Sequence, residues 1–198
     1  MMQEPMVLRG EFVDLRPLTV ADAAMSLRWR LSTRARNLNQ GATTLAAQEQ
    51  WIATRPPTEF NFVIELKDGR PVGMISLVDV DTLHRRAEAG RFLIGEEAAV
   101  RGIPAAVEAM KLLYELAFDR LNLLRVFGTM SSDNVAILRW QLYLGMKEEG
   151  RFRRHYFING HFQDAIWLGL LEEEYRRITL PRMRVLLAAG RRATAQPS

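Results

Sequence analysis

The stretch Ile94-Gly95-Glu96-Glu97-Ala98-Ala99-Val100-Arg101-Gly102-Ile103-Pro104-Ala105-Ala106 holds the residue types needed to grip an anion. An apolar run ends in acids, turns through Gly102 and Pro104, and opens into a helix. The first turn of a helix carries backbone N–H groups without intrahelical partners, and the helix dipole adds partial positive charge there. A phosphate set before such a turn meets both. Small side chains at Gly102, Ala105 and Ala106 let a bulky anion approach the backbone. Pro104 has no N–H, which removes one donor, yet its fixed φ suits a first helical turn. A helix start packed for structural reasons alone would use the same residues, so two readings stand at this point.

Little other chemistry is on offer. The chain has no cysteine, which excludes disulfides, thiolate metal sites and a thiol nucleophile. His84, His155 and His161 are scattered without metal-ligand spacing, so no metal is expected. His155 and His161 fall on opposite arms of one hairpin and can meet across it. With 27 basic and 23 acidic residues the formal charge is +4, favouring acidic ligands but modest for a nucleic-acid binder. No apolar run reaches membrane-spanning length and Glu4 interrupts the start, so the expectation is a cytoplasmic protein with no membrane or nucleic-acid partner.

The elements that must position the loop follow from periodicity. Residues 11–18 alternate as a strand; Thr19 and Asp22 form a capping-box pattern before a helix with Ala23, Met25, Leu27 and Trp29. A second helix runs from Thr44 to Ala53 with Leu45, Trp51 and Ile52 inward, and Pro56-Pro57 stops it. Phe60–Leu66 and Val72–Val80 flank an Asp68-Gly69 turn, a hairpin. A strand from Ala87 to Glu96 leads into the loop. The helix after it places Val107, Met110, Leu113, Tyr114, Ala117 and Phe118 on one face. Leu123–Met130 is a short buried strand. Asp133-Asn134 begins a helix ending at Gly145, and Asn159-Gly160 turns a last hairpin. A short helix starts at Glu172. Residues 1–180 make one domain, and 181–198 make a basic, partly frayed tail. A crossover helix between two strands, together with hairpins, implies a mixed sheet in an α/β (α+β) fold.

This order resembles the GNAT superfamily of acetyl-CoA-dependent N-acetyltransferases over Val7 to Tyr175, whose fold is a mixed, mostly antiparallel central sheet with helices on both faces. Three motifs carry the resemblance. Arg101 and Ala106 fit the pyrophosphate-loop pattern, with Pro104 where the middle Gly stands. Ser132-Asp133-Asn134, Ile137, Leu138, Arg139 and Leu144-Gly145-Met146 are similar to the Asn-led helix. Glu148 to Arg153, the Asn159-Gly160 hairpin and Gln163-Asp164-Ala165 resemble the branch containing ribosomal-protein N-terminal and amino-sugar acetyltransferases.

The resemblance implies roles. The cofactor-binding set would be Arg101, Gly102, Ile103, Ala105 and Ala106 on the pyrophosphate of acetyl-CoA, Phe92, Leu93 and Ile94 along the pantetheine arm, and Asn134 and Arg139 on the next helix. Asn134 alternatively caps its own helix. Direct attack of an amine on the thioester needs a base and a donor to the carbonyl oxygen. The catalytic choice is Glu88, matched by the branch's Ala-Glu-x-Gly start at Ala87, Glu88 and Gly90, with Glu96 behind it. Pairing of Glu88 with Arg85 or Arg86 is the competing reading. The family's acid, a Tyr, is replaced here by Gln141, and Tyr143 points elsewhere on the helix.

Arg28, Trp29, Arg30, Arg153 and His155 form the expected substrate-binding set, with Arg34, Arg36, Arg151 and Arg154 adding charge. Guanidinium forks suit an anionic acceptor such as a nucleotide-linked amino sugar, with polyamines disfavoured. Solvated arginines are the plain alternative. Trp29 and Trp140 also suit the core, and Asp164 suits a local backbone group or Arg153. A protein N-terminal acetyltransferase of the ribosomal type and a non-catalytic acyl-CoA-binding regulatory domain are the alternative functions, the latter motivated by Pro104 and Gln141. The partner is thus a small-molecule amine or a peptide N-terminus, and a homodimer is allowed.

Overall fold

The computed structural model describes residues 6–38, 41–158 and 160–194. Two short strands, β1 (Leu8–Arg9) and β2 (Val13–Pro17), precede a 3-10 turn (Val20–Asp22) and α1 (Ala23–Leu31). Thr19 and Asp22 do form the cap, and it is tied to the sheet. The Asp22 carboxylate accepts from the Thr19 N–H at 2.9 Å and from both Arg16 terminal nitrogens at 2.8 and 2.9 Å. Helix α2 (Leu45–Ala53) starts where the Thr44 hydroxyl accepts from the Ala47 N–H at 3.3 Å. Ile52 is buried and Trp51 half-buried. Leu45, expected inward, is exposed; it is the first residue after the cap, and burial on α2 begins one turn later at Gln48.

The hairpin is β3 (Phe60–Leu66) and β4 (Pro71–Asp81), followed by β5 (Arg86–Ile94). A 3-10 turn (Glu97–Val100) leads to α3 (Ala105–Glu115), whose face continues through the wide turn Leu116–Arg120. All six apolar residues assigned to that face are buried. Next come β6 (Arg125–Ser131), α4 (Val135–Leu144), β7 (Lys147–Ile158) and β8 (His161–Leu171). Gly145 ends α4 at φ +118°, a left-handed cap that a side chain would strain. Of the Asn159-Gly160 turn, Asn159 lies outside the described residues.

The eight strands form one sheet in the order β1-β2-β3-β4-β5-β6-β8-β7. Every pairing is antiparallel except β5 with β6, the pair that α3 crosses between. Helix α3 packs over Leu15, Ile64 and Leu77 on one face, in the main core. On the other face Trp29 of α1 packs with Met74 and Leu93 in a second, small cluster.

The basic segment beyond residue 180 corrects the sequence expectation. After a turn of helix at α5 (Glu172–Glu174) and a wide turn (Tyr175–Thr179), the chain forms α6 (Leu180–Thr194). Met183 and Leu187, four apart, enter the core beside α3, while the arginines of the helix are exposed. A composition-based reading of the segment missed that stripe. Residues 195–198 lie outside the described residues.

Candidate active site

The parallel pairing of β5 and β6 covers only Arg86↔Arg125, Ala87↔Val126 and Glu88↔Phe127. From Ala89 onward β5 pairs with β4 alone, and from Gly128 onward β6 pairs with β8 alone. The two strands therefore part at Glu88 and leave a wedge with a free backbone edge along 89–94. A bulge sharpens the divergence: Met74 pairs with Leu93 but Ser76 with Gly90, and Arg91 sits at φ +53° in the extra residue.

A cavity of about 460 Å³ occupies the wedge. Its walls come from β5 (Glu88 to Phe92), β6 (Thr129 to Ser131), α4 (Asn134, Ile137, Gln141), β4 (Met74, Val78, Asp79), α2 (Gln48, Trp51) and Tyr156 of β7; Glu59 and Arg30 complete the charged lining. The size is that of an ordinary small-molecule site.

Glu88 stands at the apex, half-buried. Burial pushes its carboxyl pKa up, and the Asp79 carboxylate pushes the same way; Thr129 and Arg91 oppose them. The Thr129 hydroxyl donates to Glu88 Oε1 at 3.4 Å, the long end of the range, and itself accepts from the Tyr156 hydroxyl at 2.8 Å. Neither competing cation reaches Glu88: Arg85 donates to Asn122 and Arg86 faces Asp81 at 3.6 Å. Arg91 is held by Glu59 at 2.6 Å and Asn61 at 2.8 Å, beside the Trp51 ring at 5.2 Å. Burial disfavours the charge on Arg30, as does nearby Arg91. Asp79 takes a left-handed conformation at φ +50°, and its carboxylate has no hydrogen bond or ion pair among the described residues.

The loop leading to α3 has the expected shape. Arg101 and Gly102 are exposed, Gly102 at φ +78° where a side chain would be strained. The first helical bond of α3 runs from the Glu108 N–H to the Pro104 carbonyl at 3.1 Å, which leaves the amides of Ala105, Ala106 and Val107 ahead of it. The Ile103 N–H, expected to face the ligand, instead donates to the Val100 carbonyl at 2.9 Å. The Asn134 side chain lines the cavity and makes no cap bond to α4.

Other expected residues lie elsewhere. Glu96 is outside the cavity lining; the Trp29 indole at 2.8 Å and Arg28 at 2.7 Å donate to it and hold its pKa down. Trp29 is 2% exposed, so its ring faces the second core cluster rather than a ligand. Leu93 is buried too, leaving only its backbone for an arm along β5. Arg28 pairs with Glu96, Arg34 with Glu97, and Arg151 with Asp164 at 3.1 Å. Asp164 also accepts from the Arg154 N–H at 2.8 Å, the backbone alternative expected for it, and its ion pair is with Arg151 rather than Arg153. Arg139, Arg153 and His155 are exposed outside the cavity lining, and His155 packs on Phe152 and Tyr156. His161 meets Asp133 and Gln163 rather than His155. Among the described residues no cluster of three or more His, Asp or Glu gathers as a metal site, and no helix is long and apolar enough to cross a membrane.

Sequence reasoning missed Thr129, Tyr156 and Asp79. All three depend on strand register and bulges, which local pattern does not encode; the signal that was available was Tyr156 falling within a strand otherwise rich in exposed charge.

Residues 13–147 match the family described as acetyltransferase (GNAT) domain. The spermidine N(1)-acetyltransferase of Escherichia coli (strain K12) is 31% identical over 118 residues, 60% of this chain and 61% of the relative. YdaF of Bacillus subtilis (strain 168), named provisionally for ribosomal N-acetylation, is 34% identical over 110 residues, 56% of this chain and 58% of its own. The chain thus spans about three-fifths of the length of each. A crystal structure from T. thermophilus, provisionally named an acetyltransferase, superposes with a TM-score of 0.75 at 28% identity, covering 94% of this chain and all of the other.

Proposed function

The chain belongs to the GNAT acetyltransferases, and on that premise we propose that it moves the acetyl group of acetyl-CoA directly onto a primary amine, with Glu88 as general base. The observation that carries the reading is Glu88 itself. Among the described residues it is the carboxylate whose pKa is raised, and it stands where the sheet opens.

The loop fits a diphosphate: amides at Ala106 and Val107 with no helical partner among the described residues, open space beside Gly102, and a helix dipole behind them. The unpaired edge of β5 along Phe92 to Ile94 suits an extended pantetheine arm, which would bond to backbone as an added strand does. In the reaction the amine nitrogen attacks the thioester carbonyl carbon. The C–N bond forms, the C–S bond breaks, Glu88 takes the amine proton, and sulfur leaves as thiolate. Gln141 lines the cavity where the family's acid would stand, and an amide cannot supply a proton; its buried Oε1 has no partner among the described residues. The thiolate then takes its proton from water.

For the acceptor, the charges in the cavity favour a compact cationic amine over a nucleotide-linked amino sugar. Arg28, Arg34 and Arg151, which would have held phosphates, already face carboxylates. Arg91 is neutralised by Glu59 and burial disfavours the charge on Arg30, while the Asp79 carboxylate beside Glu88 has no ion pair among the described residues. The resemblance to a spermidine acetyltransferase supports the same class. A peptide N-terminus remains the second acceptor to test, on the likeness to YdaF.

The test is thiol release from acetyl-CoA with di- and polyamines, nucleotide-linked amino sugars and peptides. Glu88→Gln should lower kcat by about 10²–10⁴ without changing acetyl-CoA affinity. Because the carboxyl pKa is raised, the acidic limb of kcat/KM should lie above the ordinary carboxylate range, with activity lost as pH falls through it. Tight acetyl-CoA binding with no turnover on any amine class refutes the enzymatic reading.

A further inference from the structure

Three hydroxyl and carboxyl groups from three different strands converge at the open seam. Glu88 is the last residue of β5 paired with β6, and its carboxylate reaches over the divergence to Thr129, two residues beyond its ladder partner Phe127. The Thr129 backbone also favours the charged carboxylate. Tyr156 arrives from β7, which lies beyond β8 in the sheet. It gets there through a bulge: Phe152 pairs with Ala165 but Tyr156 with Gln163, so three residues oppose Asp164 alone. Arg154 takes φ +53° in that bulge and donates its N–H to Asp164 at 2.8 Å, while Arg151 clamps the same carboxylate. Bulges of this kind re-aim a side chain. Here the phenol comes within 2.8 Å of Thr129 Oγ1 and lines the cavity.

We propose that Thr129 and Tyr156 are positioning residues that form a hydroxyl relay from Glu88, fixing its carboxylate across the seam and passing on the proton it takes from the attacking amine. The proposal rests on Glu88 being the base. In the resting state Tyr156 donates to Thr129 and Thr129 donates to Glu88, so all three oxygens are aligned. Once Glu88 has accepted a proton the chain reverses. The Glu88 carboxyl donates to Thr129, the Thr129 proton moves to Tyr156, and Tyr156 releases its own proton to water. One proton enters and one leaves, and the carboxylate is regenerated without Glu88 swinging out of the seam. The ionisable groups around Glu88 are Asp79 on β4, Arg91 on β5 and Tyr156 on β7. None of them stands between Glu88 and Thr129.

The experiment is kcat against pH at saturating acetyl-CoA and amine for four variants. Tyr156→Phe should lower plateau kcat about tenfold while leaving KM and the acidic limb in place, because Thr129 keeps its bond to Glu88. Thr129→Val should lower the plateau and also move the limb to higher pH, since a bond that favours the charged carboxylate is gone. Thr129→Ser should restore both, which a merely structural role for the threonine methyl would not allow. A wild-type plateau in Tyr156→Phe overturns the relay, as does a Thr129→Ser variant no better than Thr129→Val. Glu88→Gln separates the two levels. A fast Glu88→Gln enzyme refutes the base and the relay together, whereas a dead Glu88→Gln beside an unimpaired Tyr156→Phe refutes the relay alone.

Discussion

Gly190 lies inside α6, where glycine is a poor helix former, and replacing it with alanine tests how the C-terminal helix is packed. By propensity alone Gly190→Ala would stabilise the protein by about 1 kcal/mol. A Cβ there would sit 2.5 Å from Pro104 Cγ and 2.8 Å from Pro104 Cδ. Those atoms belong to a ring that cannot rotate aside, so the upper part of the usual overpacking cost, about 2–3 kcal/mol, applies. The difference is a net loss of about 1–2 kcal/mol, or about 2–8 °C in Tm at this chain length. Pro104 immediately precedes the first amides of α3, so the same push should raise KM for acetyl-CoA. Calorimetry and initial rates read the two effects. A Tm that rises by about 2–4 °C would mean that only propensity changed, and that α6 does not rest on Pro104.

Ala106→Glu places a carboxylate in the first turn of α3, which the helix dipole favours, so Tm should hold or rise while KM for acetyl-CoA climbs at least about tenfold. Equal affinity in both proteins would show that the diphosphate sits elsewhere. Asp22→Asn removes the charge that Arg16 and the Thr19 N–H share and should cost about 2–3 kcal/mol in urea unfolding. Burial alone would raise the Asp22 pKa, but the bonds from Arg16 and Thr19 outweigh it and leave it lowered. That contribution is full above the ordinary carboxylate pKa and fades as pH falls through the depressed native value. The wild-type advantage over the Asn variant should shrink over that interval, and a constant gap would refute the linkage.

Local signals carried most of the architecture. The Asp68-Gly69 turn, the Thr44 cap, the Gly145 stop and the buried face of α3 all depend on residues close in sequence, and each lies where periodicity placed it. Glu88 was open to nomination as the candidate base because it sits at the start of a strand that feeds the loop and matches the resembling branch's Ala-Glu-x-Gly pattern. Its partners were not, since Thr129 and Tyr156 are 41 and 68 positions away and meet it only through the parallel register and the β7 bulge. Arg30 on the first helix lines the cavity, whereas its neighbours Arg28 and Arg34 face carboxylates and misled for a related reason. Their charge was visible, but Glu96 and Glu97 reach them only once β5 and α1 are packed together. The Ala-rich basic end misled because Met183 and Leu187, together with Leu180 at the head of the helix and Leu186 beside them, form an apolar face within a segment whose composition is basic.

The seam between β5 and β6 also divides the sheet mechanically. Five strands on one side and three on the other are continuous ladders, joined by only three residue pairs. A molecule lying along the bare edge of β5 would supply missing rungs and couple the two panels. Amides on both sides should then exchange with solvent more slowly when the wedge is filled than when it is open, and the gain should extend to strands that touch no ligand.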